Sequence, residues 1–589
     1  MVASRRLLSL LFFFLILVPS VAGQRPRGTR VAPPNGYTPG MGGSSPDLPG
    51  YTPGRYANDE DNVRFQSNTV LVQVSVVITD KAGQHVHGLT RDNFQVLEDG
   101  REQRLSSVEE ITATQKPVSV ARTKAGQFTN LIMDRDQPHT VTVIALDTVN
   151  TPFLDQAYAR KELLRYLSNN IDSNQPLALV LFTSQGLKIV SGLTSSVPEL
   201  QDALKKLTGE ASAMQGVTSR AEVAAFTEYV DDFFAPRSPA NVRSSLDEFL
   251  TRGDVAYAQL NQERAILTTM QSFLTVAWSL SGIPGRKTLI WATGGFPFTM
   301  DSPAAVPGGQ LSVIYERAMR ALDDAQVSIY PVDVQGLVNY SLSASVRTPT
   351  ASTQRRQISN RAWLIDAKQD TLKDFAEMTG GRAFYNTNDL TSAFRRAVDD
   401  SSTYYLLGYY LDTKNTKPGW RGLKVNVKEK QFFVRARKGF FVTNSTMNPE
   451  ATRVNDVNFA LAAPFDATQI PILMEWGPIH GGGDKKEVSF TLHIAGASVS
   501  VEGVNNSVNL AVAATATRLG VKKELSVADN FGEDVRTNLP AEKVATFRSR
   551  GMAYNNKLQL PPGEYSVRFV VRDNHSGALG SVSAPITVN

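Results

Sequence analysis

The stretch VTVIALDTVNTPFLDQAYARKELLRYL, Val141–Leu167, decides how the chain is read. Val141 to Leu146 is a short β-rich apolar run, and Ala159, Leu163, Tyr166 and Leu167 then recur at helical spacing, so the segment reads strand, loop, helix. Asp147 closes the strand and therefore sits on the rim of a sheet. In open α/β sheets ligands bind outside the carboxyl ends of the strands, which makes this acid the first candidate for function.

Working outward, residues from about Val141 to Asp400 continue to alternate strands with helices. PLALVLFTS (Pro176–Ser184) is followed by an edge-like LKIVSG, a helix from Ser196 to Leu207 and a long helical insert over Gly209–Leu260. A helix over Gln262–Leu280, the strand KTLIWAT (Lys287–Thr293), a helix over Leu311–Asp324 and the strand VSIYPVD (Val327–Asp333) come next. After a long loop, of a kind that is functional or unstructured, Leu372–Met378 is helical, Arg382–Tyr385 is a short strand and Leu390–Asp400 is a last helix. The pattern predicts a doubly wound, mainly parallel sheet covered on both faces over residues 137–402.

The flanks read differently. From Asn68 the text alternates, with Val70, Val72, Val74 and Val76 facing one way and Leu71, Gln73 and Ser75 the other. Asp80 to Gly83 and Glu98-Asp99-Gly100 are turns between strands. Beyond the last helix, STYYLLGYYLD and GLKVNVKEKQFFVRARKGFFV are strands again. Each flank alone holds too few strands for a stable sheet. Residues 63–135 and 403–443 are therefore expected to build one β-domain in two halves, with the α/β domain inserted between them. Residues 455–589 read as a C-terminal β-sandwich with no helix signal between its strands.

Composition bounds the function. The 589-residue chain carries 61 basic and 56 acidic side chains, net +5, with no basic patch of the kind a nucleic-acid partner needs. Cys is absent, which excludes disulfides, thiolate zinc sites and thiol nucleophiles. Arg5 and Arg6 precede the apolar run Leu7–Val18, and Ser20-Val21-Ala22 supplies small residues before Gly23. Residues 1–23 thus have the layout of a cleavable secretory signal, with no transmembrane segment after cleavage. Residues 24–62 are a Pro- and Gly-rich leader in which GYTPG occurs twice. The expected location is periplasmic or extracellular.

VSVVITDKAGQHVHGLTRDNFQVLEDG, VIALDTVNTPFLDQAYARKELLRYL, SLSGIPGRKTLIWATGGFPF, VSIYPVDVQGL, MTGGRAFYNTNDL and YYLLGYYLD followed by VRARKGFFV, in this order, resemble the von Willebrand factor A domain. More closely, they resemble the VWFA-related exported proteins common in acidobacteria. The resemblance implies a Rossmann-like doubly wound α/β domain that binds other proteins, typically through a divalent cation such as Mg²⁺ at the top of the sheet. The family pattern for that cation is Asp-x-Ser-x-Ser after the first strand, a Thr in a later loop and an Asp after a central strand. Asp147 and Thr151 match the first and last positions of the first element, and Thr218 is a further hydroxyl. Val149 stands where the first Ser belongs, with Asn150 beside it, and Thr293-Gly294-Gly295 replaces Thr-Asp-Gly. The second carboxylate is missing, so the metal site is degenerate.

The candidate binding rim is Asp147, Asn150, Thr151, Thr293, Gly294, Gly295, Phe296 and Asp333, with Asp147 and Thr151 as candidate metal ligands. Without a cation, Asp147 would instead cap the loop that follows it. His85 and His87 could face one way as a metal pair, but in a turn they read as loop histidines. Tyr404, Tyr405, Tyr409 and Tyr410 read as packing in an alternating strand. No nucleophile elbow, H-E-x-x-H or phosphate loop occurs. These features predict a non-enzymatic exported protein that engages a protein partner at the rim, in adhesion or binding at the cell envelope. The alternatives are a metal-assisted hydrolase using the same rim, or a structural or carbohydrate-binding envelope component, for which Trp476 is the one Trp in the sandwich.

Overall fold

The computed structural model describes residues 69–112, 123–131, 140–169, 176–207, 261–296, 310–336, 368–412, 419–429, 431–442, 450–520 and 527–589. The signal-like run, both GYTPG copies, the insert over Gly209–Leu260 with Thr218, and the loop after Gly336 lie outside the described residues.

The two flanks interleave strand by strand. β1 (Thr69–Thr79), β2 (Phe94–Glu98), β3 (Arg101–Gln103) and β4 (Leu105–Thr112) come from one side of the chain. β11 (Thr403–Asp412), β12 (Gly419–Val427), β13 (Phe433–Arg435) and β14 (Gly439–Val442) come from the other. They form two four-stranded antiparallel sheets, β13-β1-β11-β4 and β14-β12-β2-β3. Alternation sets which side chains meet: Val72, Val74, Val76 and Ile78 share a core with Tyr405, Leu407 and Tyr409, closed from the second sheet by Val96, Leu423 and Phe440. Tyr404, Tyr405 and Tyr409 are buried, whereas Tyr410 is 60% exposed. His87 Nδ1 lies 2.6 Å from Glu110 Oε1, an acid the sequence reading did not place near the histidine turn.

Between the flanks lies one five-stranded sheet, with β6 (Val141–Asp147), β7 (Leu177–Thr183), β8 (Gly186–Thr194), β9 (Lys287–Thr293) and β10 (Val327–Asp333) in the order β10-β9-β6-β7-β8. β10–β9, β9–β6 and β6–β7 pair in parallel and β8 closes the edge antiparallel. Every residue of β6, β7, β9 and β10 is buried, because helices cover both faces. α1 (Phe153–Asn169), α2 (Val197–Lys205) and α6 (Leu390–Asp399) pack on one face through Leu163, Leu204 and Phe394. α3 (261–280), α4 (Gln310–Asp324) and α5 (368–379) pack on the other through Phe273, Leu322 and Phe375. Ser196 and Asp389 cap α2 and α6 by accepting from Glu199 N and Ser392 N.

The remaining strands, β15 (Ile472–His480) through β21 (Leu579–Val588), form two antiparallel sheets around Phe490, Val512 and Phe569. β16 (Lys486–Ile494) and β19 (Met552–Leu560) share one sheet with β15. β17 (Ser507–Arg518), β18 (Val527–Asn538), β20 (Gly563–Asp573) and β21 make the other. The fourth strand of the first sheet is β5 (Gln127–Thr129), which pairs with β15 although it precedes the mixed sheet in the chain. Asn130 fastens it: its amide donates to the carbonyls of Ala467 and Ile470 and accepts from Ile472 N. Two helices that the sequence reading lacks belong to this region. α7 (Glu450–Ala462) bridges to the mixed sheet, where its buried Asp456 accepts from both Arg317 of α4 and Arg572 of β20. α8 (Ala541–Arg550) buries only Phe547, so its apolar face is too narrow to show as a period. All described residues fall in one compact unit, Gly43–Asn589. Among them no helix is long and apolar enough to cross a membrane.

The expected fold class, a doubly wound mainly parallel sheet of the von Willebrand A type flanked by sandwiches, is corrected by this topology. Among the described residues four of the five sheets are antiparallel, and the one sheet with parallel pairs is mixed, ending in antiparallel β8. The continuous apolar runs of β6, β7, β9 and β10 are the loudest signal in the sequence and outweighed the half-buried strands that make up most of the chain.

Lys287 opens β9 fully inside the protein, its Nζ donating to Ile283 O at 2.6 Å, and burial lowers its pKa to about 7. Between that value and about 10.4 the unfolded chain binds a proton that the folded one does not, so this residue makes stability rise with pH. Below about pH 7 both states are protonated and the full penalty of burying the charge is present. Lys287→Met is expected to raise the unfolding midpoint at about pH 6, the gain shrinking to nothing by about pH 10.5. Paired denaturation curves across that range check it; a gain independent of pH would refute it.

Candidate functional site

The rim is the loop end of β6, β9 and β10, where Asp147, Thr293 and Asp333 stand in register; Asp333 pairs with Thr293 across β10 and β9. Asp147 is 2% exposed. Its Oδ1 accepts from the backbone N–H groups of Val149 (2.9 Å) and Asn150 (3.0 Å). Its Oδ2 accepts from Asn150 Nδ2 (2.8 Å), Trp291 Nε1 (3.0 Å) and Thr293 Oγ1 (2.8 Å). A carboxylate offers about four lone-pair directions, so the protein's own donors fill this one. Burial raises the Asp147 carboxyl above the ordinary range, and the bonds from Asn150, Thr293 and Trp291 oppose that rise.

The rest of the rim is built around this group. Asn150 Nδ2 also reaches Thr269 Oγ1 of α3 at 3.0 Å, and Thr151 Oγ1 accepts from Gly294 N at 2.8 Å. Val149, at the position where the metal pattern wants Ser, is 1% exposed and packs in the core with Phe273 and Trp291. A side chain at Gly294 would meet Asn150 O and Pro152 Cδ at 3.0 Å, so the loop occupies the space a second carboxylate would need. Phe296 is fully buried between Trp291 and Phe375, with ring centroids 5.7 Å from each. Asp147, Asn150, Thr151, Thr293, Gly294, Gly295, Phe296 and Asp333 are thus brought together, and all are buried. They form the frame of the rim and not its outer face.

These residues do not fit a divalent cation. Asp147 has no oxygen to spare, Thr151 Oγ1 is engaged by Gly294, and the second carboxylate of the rim, Asp333, is taken up by Gln335 N–H and Lys368, which leaves the buried Oδ1 of Asn150 as the one rim acceptor without a partner among the described residues. Among the described residues no group of three or more His, Asp or Glu is arranged for a metal ion.

Two features of the rim escaped the sequence reading. Pro152, Phe153 and Leu154 project from it, Phe153 45% and Leu154 79% exposed, where the helical period of α1 had drawn attention only to the buried side. Beside them Lys368 lays its stem against Gly295, whose φ of +110° and missing side chain leave room for it. Lys368 interacts with the charges of Asp155 and Asp333. Burial raises Asp333, opposed by Gln335 N–H and Lys368, and burial lowers Lys368, opposed by the two acids. Lys368 begins α5, and nothing in its spacing links it to the strands. In the C-terminal sandwich Trp476 packs on Phe569 and donates to Pro585 O, so it is used by the core.

No family model and no curated protein matches the chain. Among solved structures it is similar to the one titled "Crystal Structure of the TFIIH p34 N-terminal Domain", at 12% identity over 45% of this chain and 98% of that one, with a TM-score of 0.18. A likeness at that score carries no argument about fold or function.

Asp147→Ala leaves five donors facing an empty site, and a loss of about 3–5 kcal/mol is expected. EDTA and added Mg²⁺, Mn²⁺ or Ca²⁺ should leave the wild-type unfolding midpoint where it is. A cation-dependent rise that Asp147→Ala abolishes would overturn this reading.

Proposed function

We propose that this chain is an exported, non-enzymatic binding protein that engages a protein partner at the rim of the mixed sheet, independently of metal. The observation that carries the proposal is the exposure of Phe153 and Leu154 at the start of α1, directly after a loop whose backbone is held by the Asp147 carboxylate. Apolar side chains held out on a rigid support lose little entropy on docking, and contact of that kind dominates protein interfaces. Half-buried Asp155 and Lys368 lie beside the apolar tip and supply the polar surround that such contacts use. Export rests on the signal-like layout of residues 1–23, and the cell envelope or its exterior is where the partner is met.

A photo-crosslinking residue placed at position 154 of the exported protein in its own cells tests this. One discrete adduct is expected, unchanged by EDTA and lost when Phe153→Asp is added. A spread of weak adducts equal to that of a probe on exposed Val504 would sink it, and an adduct that EDTA abolishes would restore a metal-dependent rim.

A further inference from the structure

A cavity lies at the other end of the mixed sheet, where β9 and β10 begin and the flank strands dock. Its inner part holds about 30 Å³, room for a carboxylate-sized group, and it widens outward into an open cleft. Four of the buried polar atoms without a protein partner line it: Ser75 Oγ, Arg286 Nε, Gln326 Oε1 and Arg437 Nε. Buried polar groups in proteins are nearly always satisfied, so four around one space indicate that the space is built to hold something polar.

The charges say of which sign. Arg437 pairs with Asp323 and donates to Gln73 O at 3.0 Å. Arg286 is 1% exposed and its Nη2 donates only to neutral oxygens, Tyr330 Oη at 3.1 Å and Gly380 O at 2.6 Å. No carboxylate pairs with it among the described residues. One guanidinium is therefore left uncompensated in a nearly dry place, which is unfavourable unless an anion joins it. Two guanidinium N–H groups and a serine hydroxyl are the donors that a single oxyanion accepts from. The wall also carries Asp323, which is taken up by its pair with Arg437, and polar Gln73, Ser328 and Thr379; its apolar part is Met319, Leu322, Met378, Trp420 and Phe441.

Gln326 reinforces the point. It follows α4 at φ +51°, a left-handed conformation that Gly or Asn adopts more easily. The strained backbone turns its amide toward Gln73 Oε1, 2.9 Å away, and into the cavity wall.

We propose that this cavity binds a small-molecule carboxylate with an apolar tail, the carboxylate against Arg286, Arg437 and Ser75 and the tail against Trp420 and Phe441. The site is separate from the rim, and neither proposal depends on the other.

The test uses 4-fluorobenzoate as probe, observed by fluorine NMR with the full-length protein, alongside unfolding midpoints in benzoate, acetate, phosphate and chloride at matched ionic strength. Protein-dependent broadening of the probe, reversed by benzoate, is expected. So is a rise in midpoint of a few degrees that is larger for benzoate than for acetate and absent for phosphate and chloride. Ser75→Ala should weaken binding about tenfold through the lost hydrogen bond to a charged group. Trp420→Ala, at the partly exposed mouth, should weaken benzoate and leave acetate unchanged. No broadening, a response shared by all four anions, or variants that bind as wild type does would overturn the proposal. The first of these outcomes means that water alone fills the space.

Discussion

The carboxylate of Asp147 organises the upper half of the mixed sheet. It is a buried acid with no ion-pair partner among the described residues, held by dipoles from the loop, from β9 and from the side chain of Asn150. Each of these bonds fixes something else. The two backbone N–H groups set the turn after β6, Asn150 carries the constraint to α3 through Thr269, and Trp291 is oriented to receive Phe273, Phe296 and Phe375 on its faces and edges. A low-dielectric interior makes such bonds strong and makes each of them hard to replace. The rim thus owes its shape to hydrogen bonding within the protein, and an ion is not needed to draw the loops together.

Much of the architecture was legible in the sequence, for reasons that differ by element. The strands β6, β7, β9 and β10 announced themselves because burial on both faces demands unbroken apolar runs, and β1 because half-burial demands alternation. What those signals do not carry is how much of the chain each sheet claims, and there the reading went wrong: antiparallel pairing dominates. Two helices were missed for opposite reasons. α8 hides only Phe547, and α7 uses a buried acid, Asp456, as its anchor, which no hydrophobic period reveals. The candidate rim shows the same division. Its members were found because strand ends are easy to locate, yet their burial was not foreseen, since Thr, Asn and Asp read as surface residues until their partners are known. Lys368 and Gly295 meet only in three dimensions.

The two ends of the mixed sheet are built on contrasting electrostatics. At one, the carboxylate of Asp147 is satisfied by neutral donors; at the other, Arg286 has neutral acceptors but keeps an N–H group in reserve. The backbone N–H of the same Arg286 donates to Tyr404 Oη at 3.0 Å, so the flank sandwich is docked directly onto the start of β9. Asp456 plays the equivalent part on the C-terminal side by joining Arg317 to Arg572. Paired buried charges of this kind fix one geometry, because breaking either contact strands the remaining partner. The three layers are therefore positioned by polar contacts at their seams as well as by the apolar clusters beneath.

The short strand β5 has a consequence for how the molecule must be assembled. Thr129 Oγ1 reaches Ile472 O at 2.8 Å across 343 positions of sequence, and Asn130 answers the carbonyls of Ala467 and Ile470. A chain emerging amino end first makes this strand long before its neighbour exists, so the first sheet of the C-terminal sandwich is completed only once β15, β16 and β19 have been made. The C-terminal sandwich is thus not a detachable module. Cut loose after residue 443, it would present β15 as a bare edge, and the missing strand could be returned to it only as a separate peptide spanning residues 123–131.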